Sequence, residues 1–367
     1  MKFSVSREDL LKQLQLVAGV VERRQTLPIL SNVLIKFDGS QLAVVGTDLE
    51  VEIVSQSTLD AGDGVAGEVT APARKLLDIC RSLPEEAKIN LSTKEARLAI
   101  TSGRSRFSLS TLPANEFPSV DKGPGNLEFK CPASGLKHLI DSTAFAMAHQ
   151  DVRYYLNGML WEATNEQLRA VATDGHRLAM TSLAVPVQVE NKVQAIIPRK
   201  GVLELSRLLG DEDQVTVSLG SNHVHVSGEA FVFTSKLVDA AYPDYDRVLP
   251  KGGDKKISGD RAALKQAFSR AAILSNEKYR GVRLALAKNF LLISATNPEQ
   301  EEAEEQVEVD YEGEEFEIGF NVNYVLDVLN TLDGDEALFT LSDANSSGLV
   351  EGSSNRDSVY VIMPMRL

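Results

Sequence analysis

The chain repeats itself three times. The stretches SNVLIKFDGSQLAVVGTDLEVEI (Ser31–Ile53), HQDVRYYLNGMLWEATNEQLRAVATDGHRLAMTSL (His149–Leu183) and GVRLALAKNFLLISATNPEQEE (Gly281–Glu302) share one pattern. In each, an apolar run and a polar turn lead to a second apolar run that closes on Thr47-Asp48, Thr173-Asp174 or Thr296-Asn297. Internal repetition restricts the fold more than any single motif, because each copy must be the same kind of structural unit. The match extends upstream, where FSVSREDLLKQL, FKCPASGLKHLI and ISGDRAALKQAF each set a strand-like run before a helix, with Leu10, Leu136 and Leu264 in register. Downstream, TAPARKLLDICRSL, IPRKGVLELSRLL and GFNVNYVLDVLNTL supply a second strand and helix, and two more apolar runs end each copy. A period of about 125 residues predicts three domains.

Two segments rich in Pro, Gly and charge, LPANEFPSVDKGPGN and YPDYDRVLPKGGDKK, interrupt the periodicity and read as linkers. They put the domains near 1–120, 127–245 and 255–367. Each copy reads strand, helix, strand pair, helix, strand pair, with strands alternating at Val215, Val217, Leu219 and at Val224, Val226. The expected fold class is α+β: antiparallel sheets with two helices per domain covering one face. Exposed strand edges invite pairing, so tandem copies are expected to join edge to edge and leave two free edges.

No run of 18 or more apolar residues occurs, and MKFSVSRED lacks the apolar core of a signal peptide, which points to the cytoplasm and no membrane. Cys80 and Cys131, far apart in apolar contexts, read as reduced core residues. The formal net charge of −14 is local, because Glu299–Glu317 alone holds eleven carboxylates and no base. The first copy offers the opposite sign, with Arg104 and Arg106 around its last strand and Arg74-Lys75 opening a helix. Complementary charge on two free edges predicts head-to-tail association.

Catalysis finds little support. His223 and His225 alternate along a strand and could begin a metal site, yet no third ligand stands nearby in sequence. Asp174 and His176 lack a nucleophile setting, and no phosphate-cradling glycine motif is present. The expectation is no catalytic residue, no metal and no cofactor. Thr-Asp recurs in the copies and so reads as turn structure, whereas Gly175-His176-Arg177-Leu178 belongs to the middle copy alone and is the better functional candidate. Basic and aromatic residues recur after each first helix, as Arg23-Arg24, Arg153 with Tyr154-Tyr155, and Lys278-Tyr279-Arg280. Such residues suit sequence-independent phosphate contact. Two other readings stay open: a repeat scaffold that binds peptides, and a metal-dependent hydrolase using His223, His225 or His176.

The strings RQTLPILSN, GRSRFSLSTLP, MAHQDVRYYLNGML, VATDGHRLA, PRKGV, FTSKLVD, SNEKYRGVRL, NPEQEEAEE, GFNVNYVLDVLN and YVIMPMRL, spread over the whole chain, resemble the bacterial DNA polymerase III beta subunit family, the sliding clamps. The resemblance implies a processivity factor: a head-to-tail homodimer closed as a six-domain ring around duplex DNA, helices lining the hole and sheets outside. It implies DNA contacts at Arg24, Arg74, Gln150, Tyr154 and Tyr155. It implies a partner-peptide groove between the central and C-terminal domains, formed by Leu156, Thr173, Gly175, His176, Arg177, Leu178, Pro243, Arg247, Val248, Asn321, Tyr324, Ser347, Val361, Met363, Pro364, Met365 and Arg366. The polymerase III alpha subunit, the clamp loader through its delta subunit, other DNA polymerases and mismatch-repair proteins would share that groove through a linear clamp-binding motif. Methionine suits such a surface, being flexible and polarisable. Asn345 stands where the family pattern has an apolar residue, and Gly348 follows the Ser-Ser pair. For the dimer edge the resemblance implies Lys75, Phe107, Leu109, Ile273 and Leu274, against Glu299, Glu301, Glu302, Glu304 and Glu305.

Overall fold

The computed structural model describes residues 1–21, 27–59, 64–120, 123, 125–353 and 357–366. The first copy comprises β1 (Lys2–Ser6), α1 (Arg7–Ala18), β2 (Asn32–Phe37), β3 (Gln41–Thr47), β4 (Val51–Thr58), β5 (Gly67–Pro72), α2 (Ala73–Ser82), β6 (Lys88–Lys94), β7 (Arg97–Ser102) and β8 (Ser105–Ser110). The second comprises β9 (Gly125–Pro132), α3 (Ala133–Asp141), β10 (Gly158–Thr164), β11 (Gln167–Thr173), β12 (Arg177–Ala184), β13 (Val193–Pro198), α4 (Arg199–Leu208), β14 (Gln214–Gly220), β15 (His223–Ser227) and β16 (Phe231–Lys236). The third comprises β17 (Lys255–Asp260), α5 (Arg261–Ala271), β18 (Gly281–Ala287), β19 (Phe290–Thr296), β20 (Glu302–Glu308), β21 (Phe316–Asn321), α6 (Val322–Thr331), β22 (Glu336–Leu341), β23 (Gly348–Gly352) and β24 (Ser358–Ile362). The order is the same three times. Each copy holds more strands than the periodicity predicts, because the hairpin turns again at the Thr-Asp site into a strand (β4, β12, β20) whose polar content hides it; EAEEQVE is the extreme case.

The strands form antiparallel sheets, and the compact units do not follow the copies. One unit, Met1–Lys137 with Lys200–Val238, contains a four-stranded sheet ordered β1-β6-β7-β8 and an eight-stranded sheet ordered β5-β2-β3-β4-β16-β15-β14-β9. The other, His138–Arg199 with Asp239–Leu367, contains an eight-stranded sheet ordered β13-β10-β11-β12-β24-β23-β22-β17 and a four-stranded sheet ordered β20-β19-β18-β21. Each eight-stranded sheet is therefore two copies joined at an edge. Within the first unit β4 pairs with β16 from Val51↔Ser235 to Ser55↔Phe231; within the second, β12 pairs with β24 from Arg177↔Ile362 to Thr181↔Ser358.

Helix placement follows from the apolar stripe. In α1, Leu10, Leu14 and Val17 are buried, and in α5 Leu264, Ala267, Phe268 and Ala271. Burying each of the larger side chains stabilises by roughly 2 kcal/mol. Start signals are read from the sequence: the Ser6 hydroxyl accepts the Asp9 N–H at 3.0 Å, and the Asp260 carboxylate accepts the Ala263 N–H at 2.7 Å. Cys80 and Cys131 are buried and unbridged, and burial pushes their thiols up to about 12 and about 11. Among the described residues no helix is long and apolar enough to cross a membrane.

Candidate functional site

The Thr-Asp element proves to be a turn device used twice. Thr47 donates its hydroxyl to the Val51 carbonyl at 2.9 Å and accepts the Leu49 N–H at 3.1 Å. Thr173 does the same with the Arg177 carbonyl (2.6 Å) and the Gly175 N–H (3.1 Å). Asp48 and Asp174 each accept two following main-chain N–H groups. Position 49 and position 175 both lie in the left-handed region, Leu49 at φ +79° and Gly175 at φ +88°. Geometry is thus common to the two copies, and what differs is what the turn presents.

In the middle copy the turn presents Arg177. Its guanidinium donates to Asp174 at 3.2 Å, to the Asp327 carboxylate on α6, and to the Phe145 carbonyl at 2.8 Å. It lies 4.6 Å from the Tyr324 ring centre and 5.2 Å from that of Phe145. The His176 ring stacks on Tyr324 with centroids 6.5 Å apart. His176 also receives the Met363 N–H on its carbonyl at 2.9 Å, and Met365 donates to the Gly319 carbonyl at 2.9 Å, so the C-terminal tail is tied along this site. Leu178 pairs with Val361 across β12 and β24, and Gly348 opens β23 opposite Ile362.

The second linker is fastened to the same unit. Tyr242 is half-buried beside Thr173 and Asp174 with its hydroxyl shut from solvent, and burial raises its phenol. Tyr245 donates to the buried Glu162 at 2.9 Å. Burial would raise the Glu162 carboxyl, but hydrogen bonds from Tyr245, Gln194 and Lys192 outweigh it and hold the group below its usual range. Pro243, Arg247 and Val248 ride on this anchored segment, with Arg247 paired to Asp244 at 2.8 Å.

The groove residues separate by exposure. His176, Pro243, Arg247, Met363 and Arg366 are exposed; Thr173, Gly175, Arg177, Val248, Asn321, Tyr324, Ser347, Pro364 and Met365 are half-buried. Leu156, Leu178 and Val361 are buried apolar residues of the same unit. Asn321 caps α6, accepting the Asn323 N–H at 2.9 Å. Phe145 and Asp327 were not anticipated from the sequence, since only the three-dimensional structure brings them to Arg177.

For nucleic acid, Arg74 at the start of α2 and Gln150 and Tyr154 in the loop before β10 are exposed, and Tyr155 is half-buried against Tyr154 at 6.1 Å between centroids. Arg23 and Arg24 lie outside the described residues. Arg153 has a partner within the chain: Asp151 takes its guanidinium in a fork at 3.0 and 2.8 Å, and that hydrogen bonding lowers the Asp151 carboxyl to about 2. An acid two residues before the arginine was the overlooked signal.

At the free edges, β8 carries half-buried Phe107 and buried Leu109, with Arg106 exposed. Lys75 is exposed on α2, Ile273 is 75% exposed and Leu274 half-buried. On β20 the faces alternate. Glu302, Glu304 and Glu308 share the exposed side, along with Glu299 and Glu301 ahead of the strand, whereas Glu305 turns to Arg270 and accepts from it at 2.8 and 2.6 Å. Glu305 is thus satisfied within the chain. The His223 and His225 rings stack at 6.2 Å, His225 bonds Thr234 at 2.9 Å, and among the described residues no cluster of three metal-ligating side chains occurs.

Comparison with known proteins covers the chain from end to end. Family models of the DNA polymerase III beta subunit match at residues 1–121 (N-terminal domain), 130–244 (central domain) and 246–366 (C-terminal domain). The beta sliding clamp of Pseudomonas putida is 59% identical and that of Escherichia coli strain K12 52% identical, each over the full length of both chains. A crystal structure of a Pseudomonas aeruginosa sliding clamp bound to griselimycin superposes with a TM-score of 0.98 at 58% identity, covering all of both chains. A Caulobacter crescentus clamp structure gives 0.94 at 40% identity, over all of this chain and 99% of the other.

Proposed function

The chain belongs to the bacterial DNA polymerase III beta subunit family, the sliding clamps, acting as that polymerase's non-catalytic processivity factor, and from this we propose that two copies close head to tail into a ring around duplex DNA. The observation that carries the proposal is the pair of unpartnered outer strands, β8 with cationic residues around it and β20 with a carboxylate face, one in each four-stranded sheet. Joined to each other they would bury Phe107, Ile273 and Leu274, with Leu109 already buried beneath that edge and Lys75 facing Glu299, Glu301, Glu302 and Glu304. The domains of each subunit run near 1–120, 127–245 and 255–367, and the ring works in the cytoplasm.

A closed ring leaves DNA only at an end, so the contacts inside it can stay weak. Arg74, Gln150, Tyr154, Tyr155 and Arg24 touch the duplex without reading its sequence, and few phosphate contacts keep the ring mobile. The groove beside Arg177 and Tyr324 takes a linear motif from the polymerase alpha subunit, the clamp-loader delta subunit, other DNA polymerases and mismatch-repair proteins. Buried apolar Leu156, Leu178 and Val361, exposed His176 and Met363, and a tail tied at two main-chain points support that role. In the Caulobacter crescentus clamp, polyethylene glycol is bound at the region proposed for beta-motif tethering, which favours this surface.

The deciding experiment loads the protein on nicked circular DNA with the matching clamp loader and ATP, then cuts the circle. Retention before and loss after linearisation is the expected result. Equal retention on both forms would replace the ring by a peptide-binding scaffold.

A further inference from the structure

The C-terminal tail borders more than the groove. Met365 and Arg366 also line a cleft of about 420 Å3 with Arg283, Glu317, Gly319 and Asn345. Its chemistry differs from that of the apolar residues Leu178 and Val361. Two guanidinium groups and an amide face a single carboxylate, on a chain whose formal net charge is −14. Arg283 and Glu317 pair at 3.2 Å with side chains 51% and 62% exposed, so the pair is weak and exchangeable. Arg366 is exposed and has no ion-pair partner among the described residues.

Main-chain groups line the same place. β21 is the outer strand of its sheet, and the Gly319 carbonyl points away from β18, since it accepts the Met365 N–H. Alternation along an antiparallel strand sends the main-chain groups of Glu317 to that same outer side. An extended segment laid there would find a donor and an acceptor waiting, the usual arrangement when a peptide adds to a sheet edge.

We propose that the Arg283–Glu317–Asn345 cleft is a polar extension of the peptide groove that takes the extended flank of a bound partner segment and prefers an acidic side chain, held by Arg283 and Arg366. This rests on the groove reading above. It gives Asn345 a role: an amide in place of an apolar side chain makes the cleft receptive to a charged flank. The acidic flank displaces Glu317 from Arg283, exchanging one exposed carboxylate for another with the right main-chain register.

Fluorescence anisotropy on the full-length protein separates the possibilities. The probes are labelled peptides carrying the clamp-binding motif of the polymerase alpha subunit, flanked either by glutamates or by glutamines. The glutamate-flanked probe is expected to bind about fivefold tighter, the size of one well-formed exposed ion pair, and to lose that advantage at high salt. Arg283→Gln should erase the preference and leave the glutamine-flanked probe unchanged, which also shows that the variant is folded; Arg366→Gln should reduce it. Equal affinity for both probes overturns the extension and leaves the groove standing. A preference that survives both substitutions assigns it to the general surface field and overturns the extension too. Failure of both probes to bind removes the groove reading itself.

Discussion

Replacing Arg177 by Ala should damage the site by unfastening α6 from the turn, not by removing an exposed partner contact. The Arg177 side chain is only 12% exposed and holds Asp174, Asp327 and the Phe145 carbonyl while lying against two rings. Asp327, 41% exposed, regains water when the guanidinium leaves, so its bond contributes little to the net loss. The Phe145 carbonyl and the ring contacts are not replaced so readily. A hydrogen bond from a charged group is worth about 1.5–3 kcal/mol and each cation–π contact about 0.5–1 kcal/mol, which together give a loss of about 3 kcal/mol. Trp161, the only tryptophan and fully buried on β10 in the same unit, reports that unit's unfolding in urea. With Tyr324 freed from Arg177, His176 loses its stacking partner, and affinity for the clamp-binding peptide should fall by about tenfold or more. Arg177→Lys keeps the charge but not the planar fork, so it should recover only part of the stability. A loss under about 0.5 kcal/mol with unchanged peptide affinity would refute the reasoning, because it would mean that Arg177 holds nothing in place.

Substituting Ile273 and Leu274 by Ala should give monomers in sedimentation, since Ile273 is 75% exposed on the single chain; an intact dimer would reject the proposed edge. Deleting Met363–Leu367 should abolish polymerase stimulation and leave dimerisation intact, and normal stimulation by the truncated protein would reject the groove. For Asp151 the folded carboxyl titrates at about 2 against an ordinary 3.8, so the Arg153 fork contributes fully above pH of about 4 and is lost as pH falls through about 2. A carboxyl titration by NMR with its midpoint near 4 would show that the fork is absent in solution.

How much was legible depended on the sequence distance between partners. The repeat, the helix starts at Ser6 and Asp260, and the Thr47 and Thr173 turns all rest on groups within a few residues of one another, where spacing carries the information. The left-handed position was visible only in Gly175; Leu49 adopts the same backbone with nothing in its side chain to announce it. Partners far apart were unreadable: Arg177 meets Asp327 across 150 residues and Tyr245 meets Glu162 across 83. The local partner of Arg153 was missed for a different reason. Recurrence of basic residues in three copies argued for a shared role, yet the second and third copies differ: Arg153 meets the Asp151 carboxylate in the second, and Arg280 meets the neutral Asn323 amide at 3.5 Å in the third. Repetition reports backbone geometry well and side-chain employment poorly.

The proposed head-to-tail association is also the pairing that the charges on these edges favour. An outer strand with open main-chain groups can pair with any other, including its own copy. Two β20 strands laid together would crowd the Glu302, Glu304 and Glu308 carboxylates of one against those of its twin, and like charges set close together are unfavourable. Two β8 strands would likewise oppose Arg104 and Arg106 with themselves. Only β8 against β20 relieves both, and Glu305 stays out of the contest because Arg270 already neutralises it within the chain. In the proposed ring, charge would disfavour the two symmetric dimers, and the apolar residues Phe107, Ile273 and Leu274 would supply the adhesion. High salt should therefore weaken the choice of partner edge before it weakens association, which distinguishes this division of labour from an interface held by ion pairs alone.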